Sequence, residues 1–122
     1  MNIGLVYTST TVVDSTNTAI ALGSGDMEVL ATPAMVALME NAAMNAVAPH
    51  LEDGQTTVGS HIETSHLKPS FIGTTVAATA TLTAVEGRKL TFAIEAYEGE
   101  TLIGSGTHVR YIVSRDRFLN KR

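Results

Sequence analysis

The chain falls into two kinds of pattern. From residue 74 onward it alternates. In "TTVAATATLTAV", residues 74 to 85, Val76, Ala78, Ala80, Leu82 and Ala84 oppose Thr75, Thr79, Thr81 and Thr83, a period of two that predicts a strand. "EGRK" predicts a hairpin turn into "LTFAIEAY", where Leu90, Phe92, Ile94 and Ala96 share a face. "EGE" turns again into "TLIGSGTHVRYIV", completing an antiparallel meander. Another strand precedes these, with Val58, Ile62 and His66 on one face beside Ser60 and Thr64, and Gly59, His61, Glu63 and Ser65 on the other. "GLVYTSTTVV" predicts a first strand, "ALGSGDMEV" a loop, and "SRDRFLNKR" a polar end.

Residues 31 to 48, "ATPAMVALMENAAMNAVA", break this rhythm. Thr32 followed by Pro33 predicts an N-cap and a first helical residue, and Pro49 limits the other end. A helix of roughly four turns is expected over residues 33 to 48. The order strand, helix, four strands is an α+β arrangement in which one helix packs on an antiparallel sheet. The helix is apolar nearly all round. Pro33, Val36, Ala37, Ala43, Met44 and Val47 flank Glu40, while Met35, Leu38, Ala42 and Ala46 form the opposite face. One sheet covers only one side, so the other predicts a wrapped sheet, a partner subunit, or both. Glu40, the helix's single charge, is then expected at an interior surface, where a carboxylate costs several kcal/mol unless paired. A structural Glu bridged to Arg or Asn and a functional carboxylate both fit.

Composition narrows the chemistry. With 122 residues, one domain spanning residues 1 to 122 is expected. Charged residues make up only 16%, which points to uncharged surface covered by another subunit. The formal net charge of -4 argues against nucleic-acid binding. Five of the eight basic residues lie from Arg110 onward (Arg110, Arg115, Arg117, Lys121, Arg122), where a solvated tail or a weak anion contact both fit. Having no cysteine, the chain cannot use disulfides, Cys-ligated zinc or a thiol nucleophile. The N-terminus does not read as a secretion signal, and the apolar stretch is short for a membrane span, so a soluble cytoplasmic protein is expected.

His50 and His61 read as surface residues. His66 ends the apolar row of its strand and opens into "LKPSFIG", where the sheet can hold an imidazole at a cleft; a satisfied core histidine is the plainer alternative. In "GSGTHVR", Gly104, Gly106, His108 and Arg110 share a face. The two glycines leave room for another backbone, a helix or a ligand. Arg110 is placed to neutralise a carboxylate or to hold an anionic or carbonyl group. His61 and Glu63 point away from His66, so no metal site is expected.

These stretches resemble the hotdog-fold acyl-CoA thioesterases, in particular the fluoroacetyl-CoA thioesterase-like branch. The resemblance spans about Glu28 to Val113 through "TPAMVALMENAAMNAVAPHLEDGQTTVG", "SHLKPSFIGTTVAATATLTAVEGRKL" and "GSGTHVRY". It implies a hotdog fold, a long central helix wrapped by a five-stranded antiparallel sheet. It also implies catalytic residues Thr32, Glu40 and His66, substrate contacts Gly59 and Arg110, and a homodimer with two sites at the interface, with tetramers common in the fold. Coenzyme A enters as part of the substrate, and no separate cofactor is implied. The family's fluoroacetate-specific member carries an aromatic-rich lid before the helix. Here that segment, "ALGSGDMEVLA", has no Phe, Tyr or Trp, so a broader or different acyl preference is expected.

The expected reaction is hydrolysis of a small acyl-CoA thioester. Glu40 serves as nucleophile or as base towards water, His66 activates water with its basicity set by the nearby carboxylate, and Thr32 orients Glu40. Backbone N–H groups near Gly59 and the helix N-terminus are candidates for the oxyanion site. A hotdog module that binds acyl-CoA without turnover, and a hydratase-type hotdog enzyme, are the alternatives.

Overall fold

The alternating segments form strands and the apolar stretch forms the long helix. In the computed structural model, which describes residues 1–120, the order is β1 (Val6–Val12), α1 (Ala19–Leu22), α2 (Thr32–Val47), a 3-10 turn (Ala48–His50), β2 (Gln55–His66), β3 (Thr75–Glu86), β4 (Lys89–Glu98), β5 (Thr101–Ser114) and α3 (Arg115–Asn120). Lys121 and Arg122, two of the basic residues at the C-terminal end, lie outside the described residues. The strands make one antiparallel sheet in the order β1-β3-β4-β5-β2. The β3-β4-β5 meander is as expected; Gly87 (φ 63°) and Gly99 (φ 60°) sit in its turns in the left-handed region that only glycine enters without strain.

Two short helices occupy segments expected to be irregular. In α1 the Thr18 hydroxyl accepts from the Ala21 N–H (3.2 Å), and Gly23 closes the turn at φ 71°. The local caps, rather than any periodicity, make this helix. At the other end, α3 forms within "SRDRFLNKR". Among the described residues, no helix is long and apolar enough to cross a membrane.

One sheet face buries Val76, Ala78, Ala80 and Leu82 of β3 with Leu90, Phe92, Ile94 and Ala96 of β4. Against it α2 buries Met35, Met39, Ala42, Ala43, Ala46 and Val47. Each large side chain so buried contributes about 1.5–3 kcal/mol of hydrophobic stabilisation. Register shifts in β2 (Gly59/His61), in β3 (Leu82/Ala84) and in β5, where Ile103 is the extra residue opposite Ala96/Tyr97, add the local bends that let the sheet curl around the helix. The two glycines of β5 make the expected close approach. A Cβ on Gly104 would meet the Ser65 carbonyl oxygen (2.7 Å) and Met35 Sδ (2.8 Å), and one on Gly106 would run into the Glu63 carbonyl.

The helix is not buried on both sides within one chain. Pro33, Ala37 and Met44 remain exposed, and Glu40, with 41% of its side chain exposed, lies at the margin of the buried stripe rather than deep in the interior. The difference is geometric, because α2 packs chiefly on β3 and β1, leaving the concave surface of β5 and β2 partly open beneath Glu40.

Candidate active site

The start of α2 is fixed by backbone hydrogen bonds rather than by a side-chain cap. The Leu30 N–H donates to the Ser70 carbonyl (2.9 Å), and the Ala31 N–H donates to that of Asn17 (2.9 Å). Ala31, not Thr32, is the N-cap, and among the described residues no side chain caps the helix start. Thr32 is thus the first helical residue, and its hydroxyl is free for another partner: Oγ1 lies 2.7 Å from His66 Nδ1. The His66 end of β2 is anchored in turn by the Leu67 N–H, which donates to the Ile103 carbonyl (2.6 Å). His66 Nε2 is buried and has no hydrogen-bond partner among the described residues. Burial pushes the His66 pKa below the ordinary imidazole value, and the nearby Lys68 backbone only partly opposes this. The pair borders a cleft of about 250 Å³ whose walls include Ala19, Val29, Leu30 and Pro69.

A second cluster forms around a bulge. In β2, Gly59 pairs with Arg110 and His61 with Val109, so Ser60 is the extra residue. Strict alternation placed Gly59 on the face opposite His66. The bulge reverses the phase at Ser60, so Thr57 and Gly59 point towards the helix with Ile62, Thr64 and His66. A Cβ on Gly59 would lie 3.1 Å from Glu40 Oε2 and 3.4 Å from Arg110 Nη1. Arg110 is buried and donates from Nε to Thr57 Oγ1 (2.9 Å) and from Nη2 to the Thr57 carbonyl (3.0 Å). Its Nη1 lies 3.2 Å from His108 Nε2 and 3.8 Å from Glu40 Oε2, the latter an ion pair too long to be a hydrogen bond. Burial lowers the Arg110 pKa and Glu40 opposes it; a guanidinium keeps its charge in such a site.

The five residues singled out in the sequence therefore form two groups, Thr32 with His66 and Glu40 with Gly59 and Arg110. Eight residues along a helix rise about 12 Å, which separates Thr32 from Glu40 within one chain. Within one chain Thr32 contacts His66 instead of orienting Glu40, and burial, not a carboxylate of the same chain, is the largest cause of the His66 shift. Thr57 and His108 were not assigned to a site from the sequence. The signal for His108 was its place in the same row as Arg110; for Thr57 there was none, because the bulge that turns it inward leaves no mark in the hydrophobic pattern. Among the described residues, no three His, Asp or Glu side chains converge as metal ligands would.

A curled antiparallel sheet with one long helix against it is the hotdog fold of thioesterases. A Thermus thermophilus thioesterase superfamily member of known structure superposes with a TM-score of 0.90 at 30% identity, over 98% of this chain and 88% of that one. The model of the fluoroacetyl-CoA-specific thioesterase family matches residues 13–116, and the chain belongs to that family of thioester hydrolases. It is 44% identical over 91 residues to the fluoroacetyl-CoA thioesterase of Streptantibioticus cattleyicolor, an alignment spanning 75% of this chain and 66% of that protein's length. A mutant of the fluoroacetyl-CoA thioesterase solved in complex with acetyl-CoA has a TM-score of 0.92 at 37% identity, over 99% of this chain and 96% of that one.

Proposed function

We propose that the protein hydrolyses a small acyl-CoA thioester to the free acid and coenzyme A, in a site completed by a second copy of the chain. The observation that carries this reading is the separation of its chemistry into two groups on one helix, Thr32–His66 at the start of α2 and Glu40–Arg110 two turns on. The exposed face of α2, with Pro33, Ala37 and Met44, is apolar, and β2 pairs on one side only. Both are surfaces that a two-fold partner would cover. Antiparallel docking of two α2 helices would bring Glu40 of the second copy towards Thr32 and His66 of the first.

In such a site a thioester needs a nucleophile at its carbonyl carbon and a place for the oxyanion; the thiolate is already a good leaving group. Glu40 either attacks the carbonyl, giving an anhydride that water then opens, or removes a proton from water as it attacks. In both cases a C–O bond forms, the C–S bond breaks and the thiolate of coenzyme A departs. With Nδ1–H donating to the Thr32 hydroxyl, His66 presents an unprotonated Nε2 as base. The uncapped N-terminus of α2 supplies backbone N–H groups and a partial positive charge near the developing oxyanion. Coenzyme A enters as part of the substrate, and no other cofactor has a role. Among the described residues, the walls of the cleft beside His66 carry no Phe, Tyr or Trp, which favours a broader range of small acyl groups over fluoroacetyl selectivity. A cytoplasmic location fits an acyl-CoA substrate.

Subunit complementation tests this. Glu40→Ala and His66→Ala should each lower acetyl-CoA hydrolysis by about 10²–10⁴-fold. Co-refolding the two variants should restore about a quarter of the wild-type rate, since half the dimers would carry one intact site of two. No recovery would refute a site shared between copies, and full turnover by either variant alone would refute the residue assignment.

A further inference from the structure

We infer that His108, a neutral imidazole of fixed tautomer, is a positioning residue for Arg110 and, through it, for Glu40. His108 is 1% exposed and stands between the bulge of β2 and the guanidinium. Its Nδ1 lies 2.7 Å from the His61 carbonyl oxygen, which can only accept, so Nδ1 carries the proton. Its Nε2 lies 3.2 Å from Arg110 Nη1, which can only donate, so Nε2 is the acceptor. The two contacts together admit one form of the ring, the neutral Nδ1–H tautomer.

The bulge at Ser60 immediately precedes His61, whose carbonyl oxygen meets the imidazole. The Phe92 ring, with its centroid 6.2 Å from that of His108, packs beside it. Arg110 is consequently held at three points, by Thr57 Oγ1, the Thr57 carbonyl and His108 Nε2. Its charge is then directed at Glu40 from 3.8 Å without a hydrogen bond that would occupy the carboxylate. The groups facing His108 are Arg110 on its own strand, His61 on β2 and Glu40 on α2, and burial is the largest influence keeping the ring unprotonated. Protonation would set a second cation against Arg110 and remove its acceptor.

This role rests on the proposed part of Glu40 in thioester hydrolysis, and its test separates the two. In wild-type protein, ¹⁵N NMR of the imidazoles should show His108 protonated at Nδ1 and unprotonated at Nε2, with a slowly exchanging Arg110 Nε–H. This is read whether or not the protein turns over. In acetyl-CoA hydrolysis, His108→Phe should lower kcat by about tenfold to a hundredfold with KM changed less than about twofold. His108→Gln, whose amide carries a donor and an acceptor side by side, should recover kcat to within about threefold of wild type and keep the Arg110 signal. A His108 protonated at Nε2, or a folded His108→Phe with wild-type kcat, would overturn the assignment. If His108→Phe does not fold, the tautomer and the His108→Gln kinetics decide it. Wild-type protein without thioesterase activity but with the expected tautomer would refute the reaction and leave the Arg110 anchor standing.

Discussion

Thr32 and His66 lie 34 positions apart and meet at 2.7 Å, the hydroxyl at the start of α2 against the imidazole at the end of β2. The contact exists because Ala31 takes the N-cap position and frees the Thr32 side chain. Thr32→Val keeps the shape and removes the hydrogen bond, so kcat for acyl-CoA hydrolysis should fall by about tenfold to a hundredfold. Thr32→Ser should stay within a few-fold of wild type. Equal rates for Thr32→Val and wild type in a thiol-release assay would count against any role for this pair in turnover.

Gly59 and Gly106 make opposite predictions. An added Cβ at Gly59 meets the flexible end of Glu40 at 3.1 Å and His108 Cε1 at 3.2 Å, side-chain contacts that need shifts of only a few tenths of an ångström. Gly59→Ala should therefore lose less than about 1 kcal/mol of stability while activity drops by about tenfold or more through the displaced carboxylate.

At Gly106 the added Cβ meets the Glu63 carbonyl and, at 2.7 Å, Thr64 Cα, backbone that cannot shift without opening the β2–β5 ladder. Gly106→Ala should cost about 1–3 kcal/mol or more. Urea denaturation separates the pair, and comparable midpoints for the two variants would contradict the geometry.

Stability should depend on pH through two imidazoles. Burial holds the folded-state pKa values of both His66 and His108 below the ordinary value of about 6.5. The unfolded chain then binds protons at a higher pH than the folded one. The contribution is complete above about pH 6.5 and is lost as pH falls from there through the folded values. Urea midpoints measured from about pH 7.5 down to 5 should decline, and His66→Gln should flatten part of the slope. A midpoint independent of pH over that range would exclude both contributions.

Acyl selectivity is open to direct assay. A panel of short, branched and aryl acyl-CoA thioesters should show turnover of several small acyl groups within about tenfold of one another, because side chains such as Ala19, Val29, Leu30 and Pro69 discriminate weakly among small apolar groups. Hydrolysis confined to fluoroacetyl-CoA would show that selectivity does not need an aromatic wall.

Much of the fold was legible because it depends on local periodicity. The period of two in Val76 to Leu82 and Leu90 to Ala96 marks a strand face, and the same residues are buried in the sheet. The residue pairs of the site were less legible. Thr32 followed by Pro33 carries an N-cap signal that the structure overrides, since backbone hydrogen bonds at Leu30 and Ala31 fix the helix start one residue earlier. Glu40 was expected inside an all-round apolar helix, yet one sheet buries only a stripe of it and leaves the carboxylate at the margin.

The sequence by itself determined the elements, the meander and the residue types available for chemistry, because alternation, turn glycines and prolines act within a few residues of chain. Tertiary structure decided which of those residues meet. The single extra residue at Ser60 turns Gly59 towards Glu40, the His61 carbonyl next to it meets His108, and Thr32 at the start of α2 comes to lie beside His66 at the end of β2. A bulge reverses the facing of every residue before it without changing the hydrophobic pattern, so its effect is visible only once the strands are paired.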